Sequence, residues 1–181
     1  EGLLKLAADN EVIDEDAKTI MEGALIVGEM QARDVMIPRA QMVVIRDGAT
    51  LSDVLPQIIH TGHSRYPVIG ESTDDILGIL LAKDLLPFVL NPDAKFDLNA
   101  LLRPAVIVPE SKRLNVLLRE FRQARNHMAI VIDEYGGVAG LVTIEDVLEE
   151  IVGEIEDETD SDEEIQIRKL TEDSYFVQAL T

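Results

Sequence analysis

Cysteine is absent from these 181 residues, so disulfides, thiolate metal sites and cysteine nucleophiles are excluded. The absence fits a reducing compartment, and the expected location is the cytoplasm. Tryptophan is missing and aromatics make up only 4 %, which leaves aliphatic side chains to fill the core. No apolar run reaches the roughly 18 residues that a membrane-spanning helix needs. The nearest approach, residues 76–90, is broken by Lys83 and Asp84. Residue 1 is Glu with no basic and apolar leader, so no secretory signal is read and the sequence reads as a piece of a longer protein.

Cations are scarce too, 16 against 35 carboxylates for a net charge of −19. Such a chain repels phosphate backbones, and no nucleic acid is expected as a partner. No Lys or Arg occurs from Asn126 to Ile167, while carboxylates accumulate toward Glu164. None of Gly-x-x-x-x-Gly-Lys, Gly-x-Gly-x-x-Gly, Gly-x-Ser-x-Gly or His-Glu-x-x-His occurs, and no residue stands out as a general base. The expectation is a binding protein, not an enzyme.

What is present is a repeat. Tyr66-Pro67-Val68-Ile69 aligns with Met128-Ala129-Ile130-Val131 at an offset of 62. Ile76 to Leu80 aligns with Val138 to Val142, and Asp84-Leu85-Leu86 with Asp146-Val147-Leu148, at that same offset. On this alignment the register runs through the intervening loop without a gap and slips by one residue only further upstream. There, Leu51, Val54, Leu55, Ile58 and Ile59 match Leu114, Leu117, Leu118 and Phe121, each set spaced as a helix with one buried face. Pro56 is expected to kink the first of these helices or delay its start. Two short apolar runs follow each helix, the second pair turning at Gly136-Gly137, and another helix closes each unit. The expected fold is therefore mixed α/β, two units of strand, helix, strand, strand, helix. About 60 residues make a poor core alone, so the units should stack face to face.

The boundaries read as an N-terminal helical segment at 1–31, a first unit at 32–93, a second at 94–157 and a remainder at 158–181. Asp14 is read as the N-cap of a helix carrying Ala17, Ile20, Met21 and Ala24. Glu154 to Glu164 holds eight acids in eleven residues and reads as a linker. Beyond it, Ile165-Gln166-Ile167 and Tyr175-Phe176-Val177 should pair as a hairpin across Glu172-Asp173-Ser174.

The strongest motif is Gly140-Leu141-Val142-Thr143-Ile144-Glu145-Asp146. Gly140 would let a ligand approach the strand closely. Thr143 stands where a helix begins, so its hydroxyl and the free N–H groups could hold a phosphate. Asp146, one turn on, could accept both hydroxyls of a ribose. The competing reading is a capping box that needs no ligand. In the first unit Leu81 replaces Thr143, and Asp84 remains as a ribose acceptor or helix starter. At the offset of 62, Ser64-Arg65 corresponds to Asn126-His127, a permanent forked cation against a mostly neutral ring. His60 and His63 have the spacing of a metal pair but lack a third ligand, so no metal residues are assigned. Asp146, Glu150 and Glu154 are like charges four apart, which counterions or a hard cation such as magnesium would relieve.

Paired units with Gly-x-x-Thr-x-x-Asp at the last strand-to-helix junction resemble the CBS-pair (Bateman) superfamily. Within it, residues 34–39 (Asp-Val-Met-Ile-Pro-Arg), 62–68 (Gly-His-Ser-Arg-Tyr-Pro-Val), 133–137 (Asp-Glu-Tyr-Gly-Gly) and 145–155 resemble the CorC/HlyC branch. The resemblance covers residues 14–181. It implies two stacked CBS units with N-terminal helices and the start of a truncated C-terminal domain, the N-terminal membrane domain of many members being absent. The branch includes the animal CNNM proteins and is linked to magnesium and cobalt export. A regulator of a membrane transport domain or transporter is implied, binding an adenine nucleotide (AMP or ATP), with or without magnesium, and assembling as a homodimer. The alternative is a ligand-free dimerisation module. In relatives the Ser-Arg of one unit faces the Thr-x-x-Asp of the other. Carried over, Ser64, Arg65, Thr143 and Asp146 make one complete site, with Ile37 offering backbone groups to the adenine edge and His63 a ring near the base. The exchanged set of Asn126, His127, Leu81 and Asp84 is a degraded secondary site.

Overall fold

The computed structural model describes residues 15–91, 94–124, 126–153, 168–171 and 174–176. Helix α1 (Glu15–Val27) and the single turn α2 (Ala32–Val35) lead into a two-residue strand, β1 (Ile37–Pro38). The first repeat follows as β2 (Ile45–Arg46), α3 (Leu51–Thr61), β3 (Arg65–Ile69), β4 (Ile76–Leu81) and, after a 3-10 turn, α4 (Leu86–Leu90). The second consists of β5 (Val106–Pro109), α5 (Leu114–Ala124), β6 (Met128–Ile132), β7 (Val138–Thr143) and α6 (Ile144–Val152). Both have the expected order of strand, helix, strand, strand, helix. A hairpin of β8 (Arg168–Thr171) and β9 (Ser174–Phe176) comes last. Its first arm lies beyond Ile165–Ile167, which fall outside the described residues, as do Asp14 and the acidic stretch 154–164.

Each repeat forms a sheet with its first strand parallel to the second and the last two antiparallel. One face of each sheet packs on its own helices. Tyr66, Val68 and Leu80 meet Val54 in the first repeat, while Ala129, Val131 and Val142 meet Leu117 and Phe121 in the second. The other faces meet each other, and Ile79, Met128, Ile130 and Leu141 form the shared core between the repeats. Each fully buried aliphatic or aromatic side chain contributes roughly 1.5–3 kcal/mol by leaving water.

Chain segments cross between the repeats. Strand β1 precedes the first repeat yet pairs with β7 of the second, Ile37 opposite Leu141 and Pro38 opposite Gly140. Arg103, just ahead of β5, bridges to Ile79 of β4 in the first repeat. Helix α1 packs on α6, so closely that a Cβ at Gly23 would run into the Ile151 carbonyl. Val27 and Ala32 are buried in the core of the second repeat. Among the described residues no helix is long and apolar enough to cross a membrane.

Strand register corrects the repeat alignment. Gly78 pairs with Val68 and Gly140 with Val131, so the offset is 63 along β3 and β6 but 62 along β4 and β7. The one-residue slip lies in the hairpin loop, which spans 70–75 in the first repeat and 133–137 in the second. Ser64 and Arg65 therefore correspond to His127 and Met128, not to Asn126 and His127. Backbone bonding agrees: Ala82 N–H donates to the Ser64 carbonyl and Ile144 N–H to that of His127, each at 3.0 Å. Both strands are apolar on successive residues, so a slip of one preserves the hydrophobic match and leaves no trace in it.

Pro56 does not delay α3, which starts at Leu51 under a Thr50–Asp53 capping box. Its missing N–H removes the helical partner of the Ser52 carbonyl only, and Ser52 is exposed.

Candidate functional site

Two helix ends build the site. Gly62 closes α3 in the left-handed region (φ 69°), a conformation glycine adopts without strain, and turns the chain so that His63, Ser64 and Arg65 enter β3. Beneath them Tyr66 is fully buried, its hydroxyl 2.7 Å from the Thr61 hydroxyl, which anchors the strand start. In the second repeat Thr143 ends β7 and caps α6. Its hydroxyl and its amide both donate to Asp146 Oδ2 at 2.7 Å, and its hydroxyl accepts from the Asp146 N–H at 3.2 Å. The capping box is thus formed. Asp146 Oδ1 has no hydrogen bond among the described residues.

Between these ends lies a cavity of 390 Å³. Ile37, His63, Ser64, Arg65, Thr143 and Asp146 all line it, so the structure brings together the six residues singled out in the sequence. Met42, Met128 and Leu141 add an apolar wall, and Glu145 joins Arg65 and Asp146 at the polar end. Among the described residues Arg65 is the one Lys or Arg in this lining. Its Nη1 stands 4.0 Å from Glu145 Oε1, and the same carboxylate oxygen is 3.8 Å from His127 Nδ1. Such a cleft, apolar with a few convergent polar groups, has the character of a small-molecule site.

Gly140 serves a different end from the one expected. A Cβ there would run into the Ile37 carbonyl, so its bareness admits β1 beside β7 and only thereby sets Ile37 at the cavity. Glu145, Met42 and Met128 were not singled out from the sequence. Glu145 adjoins Asp146 on the first turn of α6 and was legible there, whereas the two methionines look like ordinary core residues.

The exchanged set divides. Leu81, Asn126 and His127 line a second cavity of 320 Å³, but Asp84 is not in its lining. Asp84 Oδ2 instead accepts from Arg103 Nη2 at 2.9 Å. Leu81 makes no side-chain cap, and the chain beyond it enters a 3-10 turn, Ala82–Leu85, before α4. Among the described residues no group of three or more His, Asp or Glu side chains is placed to hold a metal ion.

Two stacked repeats with a cleft between β3 and the start of α6 define a class, and comparison with known proteins agrees. The CBS domain profile matches residues 32–91 and 97–153. The chain belongs to the CBS domain family, as a tandem pair of the CorC type. The magnesium and cobalt efflux protein CorC of Salmonella typhimurium is 51 % identical over 179 residues, 99 % of this chain and 61 % of that protein. The chain therefore spans less than two thirds of the length of such relatives. A conserved domain of unknown function from Neisseria meningitidis MC58 is 51 % identical with a TM-score of 0.77, covering 81 % of this chain and 94 % of that one. The CBS domain of a bacterial CNNM/CorC family Mg2+ transporter, solved in complex with ATP, is 45 % identical with a TM-score of 0.72, covering 77 % of this chain and 99 % of that one.

Proposed function

We propose that the chain is the nucleotide-binding regulatory part of a magnesium and cobalt efflux protein, taking one adenine nucleotide in the 390 Å³ cavity and catalysing nothing. The observation that carries this reading is the convergence of Arg65 from the first repeat with Thr143 and Asp146 from the second around an apolar pocket. The base occupies the apolar end, beside the Ile37 backbone and the His63 ring. The ribose hydroxyls donate to Asp146 Oδ1, and the phosphates face Arg65, Ser64 and the N-terminus of α6. The likeness to a CBS domain solved with ATP supports the ligand class.

Glu145 and Asp146 share the cavity with a single arginine, so each added phosphate meets an unfavourable field. Magnesium accompanying ATP offsets it, and by linkage ATP raises magnesium affinity by the same factor. That coupling lets the module report magnesium to an attached or partner transport domain on the cytoplasmic side. Exposed apolar side chains on α1 (Leu25, Ile26), α3 (Ile59) and α4 (Leu86, Leu90) supply surface for a homodimer.

Titration calorimetry with AMP and ATP, each with and without magnesium, tests the reading. Magnesium should raise ATP affinity strongly and AMP affinity little. Sodium chloride at matched ionic strength reproducing the effect would reduce it to screening. The completed Thr143–Asp146 cap favours a second reading, a ligand-free dimerisation module, and no binding of either nucleotide would leave that one standing.

A further inference from the structure

The second cavity is the pseudo-symmetric mate of the first, with a different balance of charge. The matched pairings of β1 with β7 and of Arg103 with β4 put Arg103 where the first cavity has Ile37. Along the following turn Lys83 stands where the first has Glu145, and Leu81 where it has Thr143. Each of these three exchanges removes an acceptor or adds a cation; Met128 in the place of Arg65 removes a cation, but Arg65 itself reaches this cavity too.

Arg65, Lys83 and Arg103 all line the mate cavity together with His127, and among the described residues no Asp or Glu does. The whole chain has only 16 Lys and Arg against 35 carboxylates, so three bases around 320 Å³ are a concentration its composition does not supply by default. The nearest carboxylates engage from outside the lining. Asp84 pairs with Arg103 at 2.9 Å, and Glu145 stands 3.8 Å from His127 and 4.0 Å from Arg65. Lys83 makes no ion pair with a described residue. Like charges converging on a cleft repel one another, and a ligand carrying two or more negative charges relieves that repulsion. A nucleoside fits poorly, because Asp84 lies outside the lining and Leu81 has no hydroxyl.

We propose that this cavity binds a small, multiply charged phosphoanion of the pyrophosphate class, without a nucleoside. Forked Arg103 and Arg65 donors and the Lys83 ammonium hold its oxygens, and the Asn126 amide is placed to add a hydrogen bond. Arg65 lines both cavities, so an anion here draws on the cation that faces the first one. The proposal stands apart from nucleotide binding and survives its failure.

Inorganic pyrophosphate is the probe, followed by calorimetry and by the ring signals of the three histidines. One pyrophosphate per chain should bind, moving the His127 signals and leaving those of His63, which does not line this cavity, in place. Exposed Lys83 tolerates change, so K83E should fold normally and weaken pyrophosphate at least about tenfold, while K83R retains it. No binding at about 1 mM, movement of His63 instead of His127, or equal affinity in K83E would each overturn the proposal.

Discussion

Asp146 Oδ2 accepts from both the hydroxyl and the amide of Thr143 at 2.7 Å, which among the described residues leaves Oδ1 as its open acceptor. The residue therefore has two separable duties. D146A should lower nucleotide affinity by roughly 100-fold, from two lost charge-assisted hydrogen bonds, and stability by about 1 kcal/mol, from the lost capping box. T143V should show a similar stability loss but only about a tenfold loss of affinity. D84A should leave nucleotide binding unchanged, because Asp84 is turned toward Arg103. Calorimetry and urea unfolding on the three variants separate these effects.

Among the described residues Arg65 is the one Lys or Arg lining the first cavity, so its removal should weaken ligands in order of their phosphate charge. R65A is expected to cost ATP at least about tenfold and AMP less, with R65K intermediate because an ammonium lacks the fork. Equal losses for AMP and ATP would place the phosphates elsewhere.

At Gly140 the neighbour is backbone, which cannot swing aside as a side chain does. G140A should push β1 off β7 and cost about 1–3 kcal/mol in urea unfolding. Nucleotide affinity should fall with it, since Ile37 moves. An unchanged melting curve would show that β1 has room to shift.

Arg39 grips Asp74 through Nη1 and Nη2, at 2.6 and 2.8 Å, and the Val138 N–H donates to the same carboxylate at 2.8 Å. This clamp joins the hairpin loop of the first repeat to the start of β7 in the second. Hydrogen bonds from Arg39 first, and from Val138 second, hold the Asp74 carboxyl below its ordinary value of 3.8. A carboxyl lowered on folding stabilises the fold fully above its unfolded value and loses that contribution as pH falls through the folded one. Urea midpoints should therefore drop less between about pH 6 and pH 3 in D74N than in the unaltered protein.

Much of this was legible in the residues. The offset between the two Asp-centred junctions located both repeats, and Thr143, Asp146, Ser64 and Arg65 do share one cavity. The register of β3 against β6 was not legible, because both strands are buried on successive residues and a one-residue slip changes no hydrophobic match. That slip made His127 look like the counterpart of Arg65, when Met128 is. The role of Arg103 was hidden for another reason. Its place at the second cavity comes from a single bridge to Ile79, a contact between residues 24 apart with no periodic signature.

The central claim is one asymmetric nucleotide site per chain, and native mass spectrometry with ATP and magnesium counts it directly. The account predicts a single ATP for each chain, lost in D146A and kept in D84A. Two ATP molecules per chain, or equal sensitivity to both substitutions, would contradict it.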